Sequence, residues 1–170
     1  ARLIKSDIDR AAQALSCAKR KRLHIFIATS DIHLENKLKI TRAEAIDKIR
    51  ENVSYAAGLG IFDEIEFSCE DATRTERDFL ALAVKTAVNS GAGIINIPDT
   101  VGYALPDEFA SMLRALREKV PGNWALSAHC HNDLGLATAN TLAAIGAGAE
   151  YVECTVNGLG ERAGNASFEE

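Results

Sequence analysis

Five short apolar runs punctuate the chain: RLHIFIA at 22–28, EIEFSC at 64–69, GIINIP at 93–98, WALSAHC at 124–130 and YVECTV at 151–156. Several are rich in β-branched or aromatic residues and near-continuous in hydrophobicity, as expected of parallel strands covered on both faces. Between them the apolar positions switch to a helical period. Thr41-Arg-Ala-Glu44 has capping-box spacing, and Ile46, Ile49 and Val53 follow at helical intervals. Thr73-Arg-Thr-Glu76 has the same spacing and predicts the start of the next helix, with Phe79, Leu82 and Ala83 on one face. Pro106 suits the first turn of a third helix carrying Phe109, Met112, Leu113 and Leu116, closed by Pro121-Gly122. A fourth runs from about Leu136 to Ile145 and stops at Gly146 and Gly148, and another, at roughly 6–19, precedes the first strand.

Strand starts are about 27 to 42 residues apart, and strict alternation with helices means right-handed crossovers and a parallel sheet. An open doubly wound sheet and part of a (β/α)8 barrel both fit that order. The polar residues discriminate, because each strand ends in chemistry. The first ends in Ala28-Thr29-Ser30-Asp31, with His24 inside it and His33 just beyond. The second ends in Ser68-Cys69-Glu70-Asp71; the third carries Asn96 and ends in Asp99-Thr100. The fourth ends in His129-Cys130-His131-Asn132-Asp133, and the fifth runs into NGLGERAGN at 157–165. An open sheet gathers ligands at one switch point, whereas every strand of a barrel opens on the same mouth. Five loaded ends favour the barrel. A whole barrel takes about 250 residues, so residues 1–170 read as a fragment of a single barrel domain, an α/β fold with five of the eight strands.

Composition narrows the partners. The chain is 47% hydrophobic and 25% charged with a net charge of −5, which argues against a nucleic-acid or anionic-membrane surface. No apolar run approaches the ~20 residues of a membrane span, and no signal peptide opens the sequence. Cys17, Cys69, Cys130 and Cys154 are scattered singly, three of them inside strand-like runs. That pattern predicts buried, reduced thiols and a cytoplasmic location.

His129 and His131 take two of only four histidines and stand two residues apart where an apolar run ends. Side chains at i and i+2 of a strand share a face, ~6.6 Å apart along the backbone. Two imidazoles so placed can converge on one divalent ion, with Cys130 pointing the other way as a packing residue. Such a site needs a further ligand from another strand end; the alternative is a hydrogen-bonded histidine pair without a metal. Gly158-Leu-Gly160-Glu-Arg-Ala163 formally matches the dinucleotide pattern G-x-G-x-x-G/A, but it follows the last visible strand instead of the first. A dinucleotide site is the weaker reading. Glu161 and Arg162 are expected to pair with each other and hold this loop.

LSAHCHNDLGLATA at 126–139 fits an H-x-H-N-D-x-G pattern and resembles the acyl-CoA-condensing branch of the metal-dependent aldolase-like barrels. That group includes 2-isopropylmalate, homocitrate and citramalate synthases and hydroxymethylglutaryl-CoA lyase. HIFIATSDIHLENKLK, EFSCEDATRTERDFL, INIPDTVGYALP and TVNGLGERAGNAS extend the similarity over nearly the entire chain, and look most like the bacterial 2-isopropylmalate synthase group. The resemblance implies that His129, His131 and Asn165 are ligands of a divalent cation (Mn, Mg or Zn). Glu70 would be the acid–base or hydrogen-bonding carboxylate, and His24, Ser68, Asn96 and Thr100 would line a 2-oxoacid pocket. Acetyl-CoA would be the co-substrate, 2-oxoisovalerate the 2-oxoacid in leucine biosynthesis, and the full-length enzyme a homodimer. By the same likeness the five strands are about the fourth to eighth of the barrel, with the first strands and C-terminal regions outside the chain. A reading of another class stays beside this one: a non-catalytic barrel fragment with open strand edges.

Overall fold

The computed structural model describes residues 1–170. Its elements are α1 (Lys5–Ala14), β1 (Arg22–Ala28), α2 (Arg42–Gly58), β2 (Glu64–Glu70), α3 (Arg77–Asn89), β3 (Ile94–Asp99), α4 (Pro106–Lys119), β4 (Ala125–Cys130), α5 (Ala137–Gly146) and β5 (Tyr151–Glu153). The strands form one parallel sheet in the order β1-β2-β3-β4-β5, each beside its neighbour in the chain. A doubly wound sheet reverses strand order at a switch point and so covers both faces with helices. Right-handed crossovers with no reversal put every helix on one face. Here α2, α3, α4 and α5 pack against one another in succession, as the outer ring of a barrel does.

The two faces follow from the strand period of two. Leu23, Ile25, Ile27, Ile65, Phe67, Cys69, Ile95, Ile97, Leu126, Ala128 and Cys130 are buried in the core cluster that includes the helices' apolar stripes. Alternate positions are largely polar, with Phe26, Ile94 and Pro98 among the apolar exceptions, and the register aligns the polar ones: His24 beside Glu66, Ser68 beside Asn96, Asn96 beside Ser127, and His129 beside Glu153. The expectation of strands apolar on both sides is therefore corrected. One face is a hydrocarbon core, and the other is a polar barrel interior whose groups partner each other.

Most element ends lie where the local chemistry puts them. Thr41 Oγ1 accepts from the Glu44 backbone N–H while the Glu44 carboxylate accepts from the Thr41 N–H at 2.7 Å, a complete capping box for α2. The second expected box does not form. Asp71 sits in the left-handed region at φ 64°, Ala72–Arg74 makes a 3-10 turn, and Thr75 is extended. Glu76 then caps α3 with its own carboxylate, accepting from the Asp78 and Phe79 N–H groups, while Thr73 donates to Asp99 at 3.2 Å. An irregular turn at Asp31–Leu38, ending in a π-type segment, lies between β1 and α2 where no element was expected. α1 ends at Ala14 instead of near residue 19.

β5 covers only Tyr151–Glu153, and Thr155 beyond it bridges to Ser167. It has a strand partner on one side alone, and no α-helix follows it in this structure to pack over its outer face. Cys154, just past β5, is exposed, and so is Cys17, in the turn after α1, against the expectation of buried thiols; Cys69 and Cys130 are buried as expected. No helix is long and apolar enough to cross a membrane.

Candidate functional site

A cavity of about 640 Å³ opens at the C-terminal ends of the strands. His24, Ser68, Glu70, Asn96, Thr100, His129 and His131 all line it; Asn165, the eighth candidate, does not. A groove of about 670 Å³ elsewhere runs between α3 and α4 on the outer surface, past Arg77, Met112 and Lys119. It is a seam between helices, remote from the strand ends.

At the end of β4 the rings of His129 and His131 lie with centroids 4.8 Å apart and planes at 70°, their Nε2 atoms 3.0 Å from each other. His131 is 5% exposed. Burial, then the neighbouring His129 and Arg162, holds its pKa below the ordinary imidazole value, which keeps it in the neutral form that ligates metals. The Nδ1 atoms of both rings and Oδ1 of Asn165 are buried without an aligned hydrogen-bond partner. The two Nδ1 atoms point away from the facing Nε2 pair, so only the unpartnered Asn165 oxygen among them bears on an ion there; imidazole nitrogens plus an amide oxygen suit a divalent cation. In donor chemistry His129, His131 and Asn165 fit such an ion, while the ligand-type groups that converge within 4.8 Å of one another are His24, Glu66 and Glu153.

Asn165 is far away in sequence and is brought back by the loop after β5. Asn157, Gly158, Arg162 and Gly164 all have positive φ, and Asn165 N–H donates to the Gly158 carbonyl at 3.0 Å. A side chain at Gly164, where φ is 96°, would overlap that same carbonyl oxygen, so only glycine fits. The returning chain bridges Asn165 to His131, with the Asn132 N–H donating to the Gly164 carbonyl at 2.9 Å. The Asn165 amide itself packs over Gly160. Arg162 pairs with Asp133 at 2.7 Å and donates to the Thr100 carbonyl, not to Glu161 as expected; Glu161 is exposed, 4.0 Å from His131 Nε2. Residues 158–163 turn back beside β4 and do not open a helix directly.

Deeper in the barrel face lies a connected polar network. His24 Nε2 is 2.6 Å from Ser68 Oγ, which also accepts from Asn96 Nδ2 at 2.9 Å. Glu153 accepts from Asn96 Nδ2 at 3.1 Å and lies 3.4 Å from His24 Nδ1 and 2.8 Å from His129 Nδ1. Burial alone would raise its pKa, but His129, His24 and Asn96 outweigh that and hold it below the usual carboxylate value. Glu66, 4% exposed, goes the other way: burial raises its pKa, His24 and Arg22 oppose, and Glu153 reinforces. Two adjacent carboxylates are thus pushed apart in proton affinity.

On the opposite rim Glu70 accepts from Lys37 Nζ at 2.6 Å. Thr100 Oγ1 accepts from the Asp71 N–H at 2.9 Å, so it also serves as a turn hydroxyl. Asp71 is fully buried, paired with Arg74 and Ser30, and 3.2 Å from His33 Nδ1. Sequence reasoning missed Lys37, Glu66 and Glu153. The alternation E-I-E-F-S-C-E at 64–70 places Glu66 on the face of Ser68 and Glu70, and the same period would have found Glu153. Lys37 lies in the irregular turn and left no periodic signal.

Consecutive parallel strands, helices on one face and a polar mouth at the strand ends define part of a (β/α)8 barrel of the enzyme type. The chain belongs to the HMGL-like family, whose pattern matches residues 1–170. It is 58% identical over 171 residues to a protein of Caldanaerobacter subterraneus subsp. tengcongensis named 2-isopropylmalate synthase 1, covering 99% of this chain and 43% of that protein. It is 55% identical over 172 residues to 2-isopropylmalate synthase of Aquifex aeolicus, covering 100% of this chain and 33% of the relative. The chain therefore spans less than half the length of these curated relatives. Among solved structures, the HMG-CoA lyase of Bacillus subtilis superposes with a TM-score of 0.81 over 97% of this chain and 57% of that one. At 17% identity that likeness concerns the fold.

Proposed function

We propose that this barrel segment serves an acyltransferase that condenses acetyl-CoA with a 2-oxoacid, 2-oxoisovalerate giving 2-isopropylmalate. The high identity to proteins of that name supports it. The observation that carries it is the paired Nε2 atoms of His129 and His131 at the mouth that Glu70 also lines. In this reading His129, His131 and Asn165 hold a divalent cation. When bound, that ion would supply Lewis acidity toward the 2-oxoacid.

The chain's own residues do the rest. His24, Ser68, Asn96 and Thr100 present a polar wall to the 2-oxoacid and fix its orientation. The acetyl methyl carbon loses a proton and bonds to the ketone carbon, whose oxygen takes up a proton. Glu70, held by Lys37, is placed to hold or pass that proton. Water then cleaves the thioester, releasing coenzyme A. No residue of this cavity is assigned as the base for the methyl group, and residues 1–170 alone are expected to be inactive.

The test uses the full-length protein. Free thiol release should require both acetyl-CoA and 2-oxoisovalerate, stop with a chelator and return with Mn²⁺. His129→Ala should lower kcat/KM by about 10²–10³-fold, as removal of one strong electrostatic element does. Undiminished turnover in that variant, or faster cleavage of hydroxymethylglutaryl-CoA than condensation, would refute the assignment.

A further inference from the structure

We propose that Glu153 is the positioning residue of the histidine pair: its carboxylate backs Nδ1 of His129 and thereby presents Nε2 toward His131. This rests on the metal-site reading above and goes beyond it, because it assigns a role to a residue outside the ligand set. Glu153 is paired with His129 in the sheet register, so β4 and β5 hold the two side chains side by side. Oε2 lies 2.8 Å from His129 Nδ1 and accepts from Asn96 Nδ2 at 3.1 Å, while Oε1 is 3.4 Å from His24 Nδ1. The carboxylate is therefore anchored by three neighbours.

Imidazole chemistry gives the anchoring its consequence. In a neutral ring one nitrogen carries the proton and the other the lone pair, and the partner of the first decides which. A carboxylate at Nδ1 favours the proton there and leaves the lone pair on Nε2, the nitrogen that faces His131. The ring N–H is not aimed straight along the 2.8 Å separation, so the contact acts mainly through charge, which is why removing the charge is the informative change. His131 has no equivalent support: its nearest carboxylate, Glu161, is 4.0 Å from Nε2 on an 83% exposed side chain. The pair is asymmetric, with His129 the pre-oriented member.

The experiment compares Glu153→Ala, Glu153→Gln and His129→Ala in the full-length protein. Equilibrium dialysis with Mn²⁺ reads affinity, and long-range ¹⁵N imidazole spectra of the metal-free protein read the tautomer of His129. Glu153→Ala should weaken Mn²⁺ binding about 10- to 100-fold, the usual effect of losing a carboxylate behind a ligand histidine, and shift His129 away from the Nδ1–H form. Glu153→Gln, which keeps the residue's shape but removes its charge, should weaken binding nearly as much as Glu153→Ala; it carries the same readouts if the alanine variant does not fold. Unchanged affinity in both Glu153 variants, with binding lost in His129→Ala, would overturn the role of Glu153 and leave the metal site standing. Weaker binding with an unchanged tautomer would also overturn it, since Glu153 would then be only structural. Binding unaffected by His129→Ala would remove the metal-site reading and this inference together.

Discussion

On β2, Phe67 points into the helices with no exposed surface, and Ser68, the next residue, points across the sheet to His24 and Asn96 while 5% exposed. Both are buried; what differs is how burial is made favourable. Phe67 gains by leaving water for a close-packed hydrocarbon core. Ser68 gains little from transfer and is tolerated because its hydroxyl has two partners. The same contrast repeats along the sheet, between Ile95 and Asn96 and between Cys130 and His129. Low exposure therefore does not separate the helix-packed face from the barrel face in this molecule; side-chain polarity along the strand period does.

Substitutions at neighbouring positions should pull the two faces apart. Phe67→Ala should cost about 3–5 kcal/mol in urea unfolding, the range for an emptied core site, with the cavity side chains unmoved. Ser68→Ala should cost about 1–2 kcal/mol and instead loosen His24 and Asn96, visible as altered imidazole chemical shifts. Equal losses at the two sites would erase the distinction.

Glu66→Gln tests the polar face through pH. Burial first, with Glu153, raises the folded-state pKa of Glu66 above the ordinary 4.5 against the pull of His24 and Arg22. The folded state then binds this proton more tightly than the unfolded chain. The stabilisation is fully present below about pH 4.5 and is lost as pH rises through the raised folded value. Stability of the wild type relative to Glu66→Gln should decline across that window; a difference flat with pH would contradict the buried-carboxylate assignment.

Thiol chemistry gives the smallest energetic effect and the simplest reading. Burial pushes the Cys69 pKa far up and that of Cys130 up to about 12, so neither offers thiolate at neutral pH. A maleimide should label Cys17 and Cys154 in the native chain and reach Cys69 and Cys130 only in denaturant. Native labelling of Cys130 would mean that the helix face of β4 is open.

What could be seen in the sequence divides along the same line. The first strand, 22–28, the Thr41–Glu44 cap and Pro106 at a helix start are set by local composition and turn chemistry, and the structure has them at the expected places. The start of α3 was misplaced because spacing at 73–76 cannot reveal the left-handed Asp71, which spends those residues on a tight turn. The strand period already puts Glu66 and Glu153 on the site face; that they partner His24 and His129 is set by strand pairing and not by proximity in sequence. The mouth residues were legible as strand ends; the network beneath them required register.

The neighbour-by-neighbour strand order also bears on how the fold assembles. Since β2 needs only β1, β3 only β2, and so on, each βα hairpin-sized segment can dock as soon as it emerges from a ribosome, without awaiting a distant partner. Growth by accretion moves one edge, from β1 towards β5, while the β1 edge stays where it began. A circular rearrangement that split the chain between any two units would preserve the remaining pairings, whereas swapping two units would break several at once.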